Sequence, residues 1–199
     1  MTEEMNEAPF KAVDMSQFKR PYLDIPYADA HEREKLDLVL PDEGEGPFPV
    51  VVAVHGGAWK FRFKRADNIA GLFQAASQGY AVASVGYRLS SHAKWPAQVN
   101  DVKAAIRYLR NHAEEYHLDP KCVIVCGNSS GGHIAQTVAA TNDDIDFEDC
   151  LLGDCGDSSV QGCFSMYGVS DIYVCEHQTG HRDDGDNPMS PPDQVMGFC

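Results

Sequence analysis

Cys122-Val123-Ile124-Val125-Cys126 leads into Gly127-Asn128-Ser129-Ser130-Gly131-Gly132-His133, and then into Ile134, Ala135, Val138 and Ala139. A short, unbroken apolar run rich in β-branched residues suits a strand buried on both faces. The apolar residues beyond the glycines recur at helical spacing. Between strand and helix stands G-x-S-x-G with Ser129 at its centre. A strand-to-helix turn this tight leaves no room for flanking side chains, and glycine removes them. The spacing predicts Ser129 on a sharp bend, with its hydroxyl off the end of a sheet. The helix N-terminus beside it favours developing negative charge. That arrangement suits acyl transfer.

Outward from this bend, strands and helices alternate. Residues 36–40 read as a partly alternating strand stopped by Pro41, and Val50 to Val54 as a buried strand running into His55-Gly56-Gly57. Ile69, Leu72, Phe73 and Ala76 follow i, i+3, i+4, i+7, and Gly79 is placed to end that helix. Tyr80 to Val85 is the next strand. Asn100 is the expected N-cap of a helix whose stripe is Val102, Ala105, Ile106, Leu109, Ala113 and Tyr116. A last strand is expected near Val160 to Met166, and after Gly168 the pattern decays. The alternation predicts an α/β protein, a mostly parallel central sheet flanked by helices. Residues 1–20 read as a polar arm and 21–199 as a single domain.

Composition narrows the partners. With 16 Lys and Arg against 30 Asp and Glu, the formal charge of the 199-residue chain is −14. Nucleic-acid backbones and anionic membranes are therefore poor partners. The strongly apolar run Val50 to Val54 is far too short to span a bilayer. The acidic N-terminus does not read as a secretory signal, so a soluble cytoplasmic protein is expected. Seven cysteines, in no close-paired zinc pattern, read as reduced thiols. Asp183, Asp184 and Asp186 lack the spacing of a calcium loop and read as a solvated turn. No metal and no cofactor is expected.

A serine hydroxyl needs a base to take its proton, and its tetrahedral intermediate needs donors aimed at the oxyanion. The glycines of His55-Gly56-Gly57-Ala58-Trp59 let backbone amides approach a reacting carbonyl. Removing one such donor typically costs about 3–4 kcal/mol of transition-state stabilisation. His55 and His133 read as packed residues rather than proton carriers. Trp59 and Trp95 read as either an acyl or sugar pocket or core.

Together these pieces make the chain resemble an α/β-hydrolase-fold esterase of the group that includes hormone-sensitive-lipase-like enzymes and acetyl-xylan or feruloyl esterases. The matching stretches are Lys35-Leu36-Asp37-Leu38, the H-G-G-A-W loop and Gly86-Tyr87-Arg88-Leu89. Pro96-Ala97-Gln98 with 101–107, the elbow and Tyr167-Gly168-Val169-Ser170-Asp171 complete them. The resemblance implies Ser129 as nucleophile and the amides of Gly56, Gly57 and Ser130 as the oxyanion hole. It implies a small-molecule ester as substrate; an amide hydrolase such as an arylformamidase, and an inactive binding protein, are the alternatives. It also places an acid and a histidine after two further strands. Only 70 residues follow Ser129 (199 − 129). Asp171, His177 and His181 come where the family has neither acid nor base. The reading is thus of a C-terminally truncated esterase lacking the last strands, with an exposed sheet edge open to self-association.

Overall fold

A computed structural model describes residues 11–149, 152–172 and Val174. Six strands form one sheet: β1 (Pro21–Pro26), β2 (Lys35–Val39), β3 (Phe48–Val54), β4 (Ala81–Val85), β5 (Leu118–Asn128) and β6 (Gly162–Met166). Their order is β1-β2-β4-β3-β5-β6. The pairs β4–β3, β3–β5 and β5–β6 are parallel, and β1–β2 and β2–β4 are antiparallel. Parallel neighbours need crossovers, and two of these are the helices α1 (Ala97–Asn111) and α2 (Ser130–Ala140).

The period of two along a strand explains why the central ones are apolar throughout. Val50, Val52 and Val54 face one core with Leu36, Leu38, Val99, Ile106 and Ile134. Val51 and Ala53 face the other with Val39, Val82, Ile69, Phe73 and Met15. Each strand residue is thus covered from one side or the other.

Some expectations shift. The helix expected to start at Asn100 begins at Ala97, capped by Pro96, and ends at Asn111 rather than running to Tyr116. Val99, the residue before Asn100, already belongs to its buried stripe. Residues Asp67–Gln78 wind as 3₁₀ turns, and Gly79 ends them at φ 89°. The arm expected over residues 1–20 is docked in its described part. Val13 N–H donates to Arg65 O (2.7 Å), Asp67 N–H donates to Lys11 O (2.9 Å), and Val13 and Met15 are buried.

Buried charges tie α1 to the loop after α2. Lys103 Nζ donates to Thr141 O (2.6 Å) and Glu148 Oε1 (3.0 Å). Arg107 donates to Glu148 Oε2 (2.5 Å) and to the carbonyls of Asp149, Leu152 and Asp154. That loop leads into β6, the outermost strand on its side among the described residues. Phe164 on β6 and Tyr167 just after it are 57% and 75% exposed.

Candidate active site

The strand-to-helix bend lies at the C-terminal ends of β3 and β5, where an open parallel sheet leaves a crevice for ligands. Ser129 has φ 52° and ψ −124°, a region a residue with a Cβ rarely occupies. It is held there from both sides. Its N–H donates to Met166 O on β6 (3.0 Å), and its carbonyl accepts His133 N–H (3.0 Å). The flanking glycines are sterically required. A Cβ on Gly127 would stand 2.3 Å from Gly131 O, and one on Gly131 would stand 2.3 Å from Val54 O. Ser130, the first residue of α2 and next in the chain after Ser129, is buried.

The H-G-G loop passes beside this bend. A Cβ on Gly56 would come within 2.7 Å of Asn128 O, so loop and elbow touch backbone to backbone. The Gly56 N–H, however, already donates to Asn128 Oδ1 (2.9 Å). In this structure the Gly56 amide thus holds the loop to the elbow. Gly57 has φ 131°, open to glycine alone. Its carbonyl accepts the Lys60 and Phe61 amides (3.0 and 2.9 Å), closing a turn in which Ala58 and Trp59 are also left-handed.

His55 is wholly buried, stacked on Tyr87 at 4.3 Å, with Nδ1 2.8 Å from Gly56 O. Since a carbonyl only accepts, Nδ1 carries the proton. Tyr87 Oη donates to His55 O (2.8 Å), and Tyr27 Oη donates to Gly86 O (2.6 Å). Burial pushes the His55 pKa down to about 3, so the ring is neutral. His133 packs against Trp59 (5.4 Å) and Trp95 (4.7 Å), and burial lowers its pKa to about 4. Neither ring is hydrogen-bonded to the Ser129 hydroxyl. Trp59 is core, at 2% exposure, whereas Trp95 is half-buried.

The buried His55 has a consequence for acid stability. Its folded pKa lies below the unfolded value of about 6.5, so the unfolded chain binds the extra proton as pH falls. Stability is full above about pH 6.5 and declines below it, by up to about 1.4 kcal/mol per pH unit for this one group. Urea unfolding at pH 7.5 and 5.5 should show a loss of about 1 kcal/mol from His55. The His55→Asn variant should have a shallower slope whatever its absolute stability. An unchanged slope would refute the assignment.

The other resembling stretches are supports. Buried Asp101 accepts Arg88 N–H (2.7 Å) and its guanidinium (2.6 Å), and Glu34 lies 3.1 Å from the same guanidinium. Asp37, also buried, accepts Arg65 Nε (2.6 Å). Asp171 is exposed and accepts Val174 N–H (2.9 Å). His177, His181 and the Asp183, Asp184 and Asp186 turn lie outside the described residues. Among the described residues no cluster of His, Cys, Asp and Glu could hold a metal ion.

The BD-FAE family profile matches residues 36–198. Esterase LipQ of Mycobacterium tuberculosis (strain ATCC 25618 / H37Rv) is 31% identical over 156 residues, which is 77% of this chain and 37% of LipQ. A kynurenine formamidase of Danio rerio is 30% identical over 121 residues, 60% of this chain and 39% of its own length. A solved structure described as a truncated form of carbohydrate esterase from gut microbiota is similar with a TM-score of 0.73 and 27% identity. It covers 94% of this chain and 68% of its own. The chain spans about a third of the length of the first curated relatives it matches. By that match and by its sheet, elbow and loop, the chain belongs to the BD-FAE family and has the α/β-hydrolase fold.

Proposed function

We propose that the chain carries the nucleophile of a serine hydrolase acting on small carboxylic esters, acetylated or aryl-acylated sugars among them. The observation that carries this reading is the strained φ of Ser129, held between two glycines that cannot be anything else. Strain kept at one serine, beside a helix N-terminus and a glycine loop, is what an exposed nucleophile requires. Ser129 Oγ attacks the ester carbonyl as its proton passes to a base. The Gly57 and Ser130 amides stabilise the oxyanion, the alcohol leaves, and water hydrolyses the acyl-enzyme. Neither His55, stacked on Tyr87, nor His133, packed on Trp59 and Trp95, is placed to take that proton.

Hydrolysis of p-nitrophenyl acetate by this chain and by Ser129→Ala tests the proposal. Slow turnover is expected, and the variant should abolish it. An oxyanion hole without a full triad still gives about 10³–10⁴-fold catalysis over water. Brisk, Ser129-dependent turnover would show that the chain itself carries a base. Turnover unchanged in the variant would sink the serine mechanism.

The Danio rerio relative supports a second reading, cleavage of an aryl formamide by the same serine. Comparing formanilide with phenyl acetate separates the two. A folded sample that a fluorophosphonate probe fails to label at Ser129 would instead favour a binding role.

Among the described residues no helix is long and apolar enough to cross a membrane. Cys122, Cys126 and Cys163 are free thiols, which supports a reducing, cytoplasmic setting. The charge of −14 supports the view that nucleic acids are not partners. Exposed Phe164 and Tyr167 beside the outer strand support self-association through that edge. Light scattering should show oligomers that Phe164→Lys disperses, and a monomer before substitution would refute this.

A further inference from the structure

The middle residue of the elbow, Asn128, is 2% exposed, and its side-chain amide uses every hydrogen-bonding position it has. Oδ1 accepts the Gly56 amide at 2.9 Å and, more weakly, Asn68 Nδ2 at 3.4 Å. Nδ2 donates to the Asn68 carbonyl at 3.2 Å and to the Tyr167 hydroxyl at 3.0 Å. The orientation of the amide is settled by its partners, because a backbone N–H can only donate and a carbonyl can only accept. Three segments therefore meet at this side chain: the loop after β3, the start of the 3₁₀ turns, and the turn after β6.

What this junction controls is the peptide next door. Gly56 and Gly57 are flexible in isolation, and Gly57 sits at a φ of 131° that only glycine tolerates. The peptide carrying the Gly57 N–H is held at its carbonyl end by His55 Nδ1, 2.8 Å from Gly56 O, and Asn128 holds the peptide just before it. Resting on the reading of Ser129 as nucleophile, we infer that Asn128 is a positioning residue. By pinning Gly56 N–H it aims the Gly57 N–H at the place where a carbonyl oxygen on Ser129 becomes an oxyanion. Asparagine is the side chain this needs, since it presents an acceptor to Gly56 and donors to Asn68 O and Tyr167 at once. An ionised aspartate would set a carboxylate against the Asn68 carbonyl. It would also put a negative charge beside the developing oxyanion. Alanine would leave the buried Gly56 N–H without its side-chain acceptor.

The probe is benzeneboronic acid, which adds a serine oxygen to boron to form a tetrahedral anion with no need for turnover or a leaving group. Its affinity is measured by calorimetry on the full chain, alongside amide exchange in the 55–57 segment. Binding that is lost in Ser129→Ala establishes the nucleophile. Asn128→Ala should then lower affinity about 10- to 100-fold, the range for a group that orients a site donor, and speed exchange at Gly56. Tyr167→Phe, which keeps Gly56 pinned, should change affinity less than about threefold. Asn128→Asp covers the case in which alanine does not fold. Relative to the unmodified chain, its affinity should fall as pH rises through the carboxylate range and recover on acidification. A merely structural role would not give that profile. Ser129-dependent binding that both Asn128 variants leave intact overturns the inference. No Ser129-dependent binding in a folded chain overturns the nucleophile reading itself, and this one with it.

Discussion

Gly131→Ala is expected to lower folding stability by about 3 kcal/mol or more and to abolish reaction of Ser129 with a fluorophosphonate. The added methyl would lie 2.3 Å from Val54 O, 2.5 Å from His55 O and 2.7 Å from the His55 carbonyl carbon. Those atoms are backbone at the end of the central strand β3, so they cannot rotate aside as a side chain would. Either α2 moves away from the sheet or the loop after β3 does. Both movements separate the nucleophile from the 55–57 loop. Gly71→Ala is the matched control, because nothing lies within 4 Å of its added methyl. It should leave the urea midpoint within about 1 kcal/mol of the unmodified chain. A Gly131→Ala midpoint as close as that would mean the bend is far more tolerant than its geometry shows.

Glu148→Gln is expected to cost about 3–5 kcal/mol, the usual penalty for removing one partner from a buried ion pair. Lys103 has no exposed side-chain surface and Arg107 has 2%, and both turn to the two oxygens of this one carboxylate. Arg107 retains three backbone carbonyls, so the ammonium of Lys103 is left worse off. That makes a rescue specific. Adding Lys103→Met to Glu148→Gln removes the stranded charge and should recover at least about 1 kcal/mol. Chemical unfolding of the three proteins tests it. A double variant no more stable than the single one would show that the cost lies elsewhere.

Most of the architecture was legible because burial on both faces leaves a plain trace. The unbroken apolar runs of β3 and β5 mark strands covered from two sides, and five of the six described strands were readable in the sequence. β1 was not. It is bounded by Pro21 and Pro26, carries Asp24 at φ 56°, shifts register between Tyr22 and Ile25, and is mostly exposed. An edge strand of that kind has no periodicity to read. Helix α1 was displaced by one turn because Asn100 looks like a cap, while the actual boundary is set by Pro96. At the site, the sharp bend at Ser129 stood out because steric demand selects glycine on both sides of it. The duty of Gly56 did not, since it depends on a hydrogen bond 72 residues away in sequence. Asn128 occupied the variable place in the motif, where no pattern attaches. Its polarity between a buried strand and a buried helix was the available hint, because an amide is not placed there without partners.

The serine's own N–H is tied to Met166 O, and Met166 belongs to the outermost described strand on its side of the sheet. Margins of sheets open more readily than their centres, so each fraying of β6 unclasps the backbone at position 129. The hold on the Ser129 bend is thereby tied to how firmly that strand stays paired with β5. Whatever molecule or segment lies down along β6 would act as a brace, tuning the reactivity of a hydroxyl it never touches.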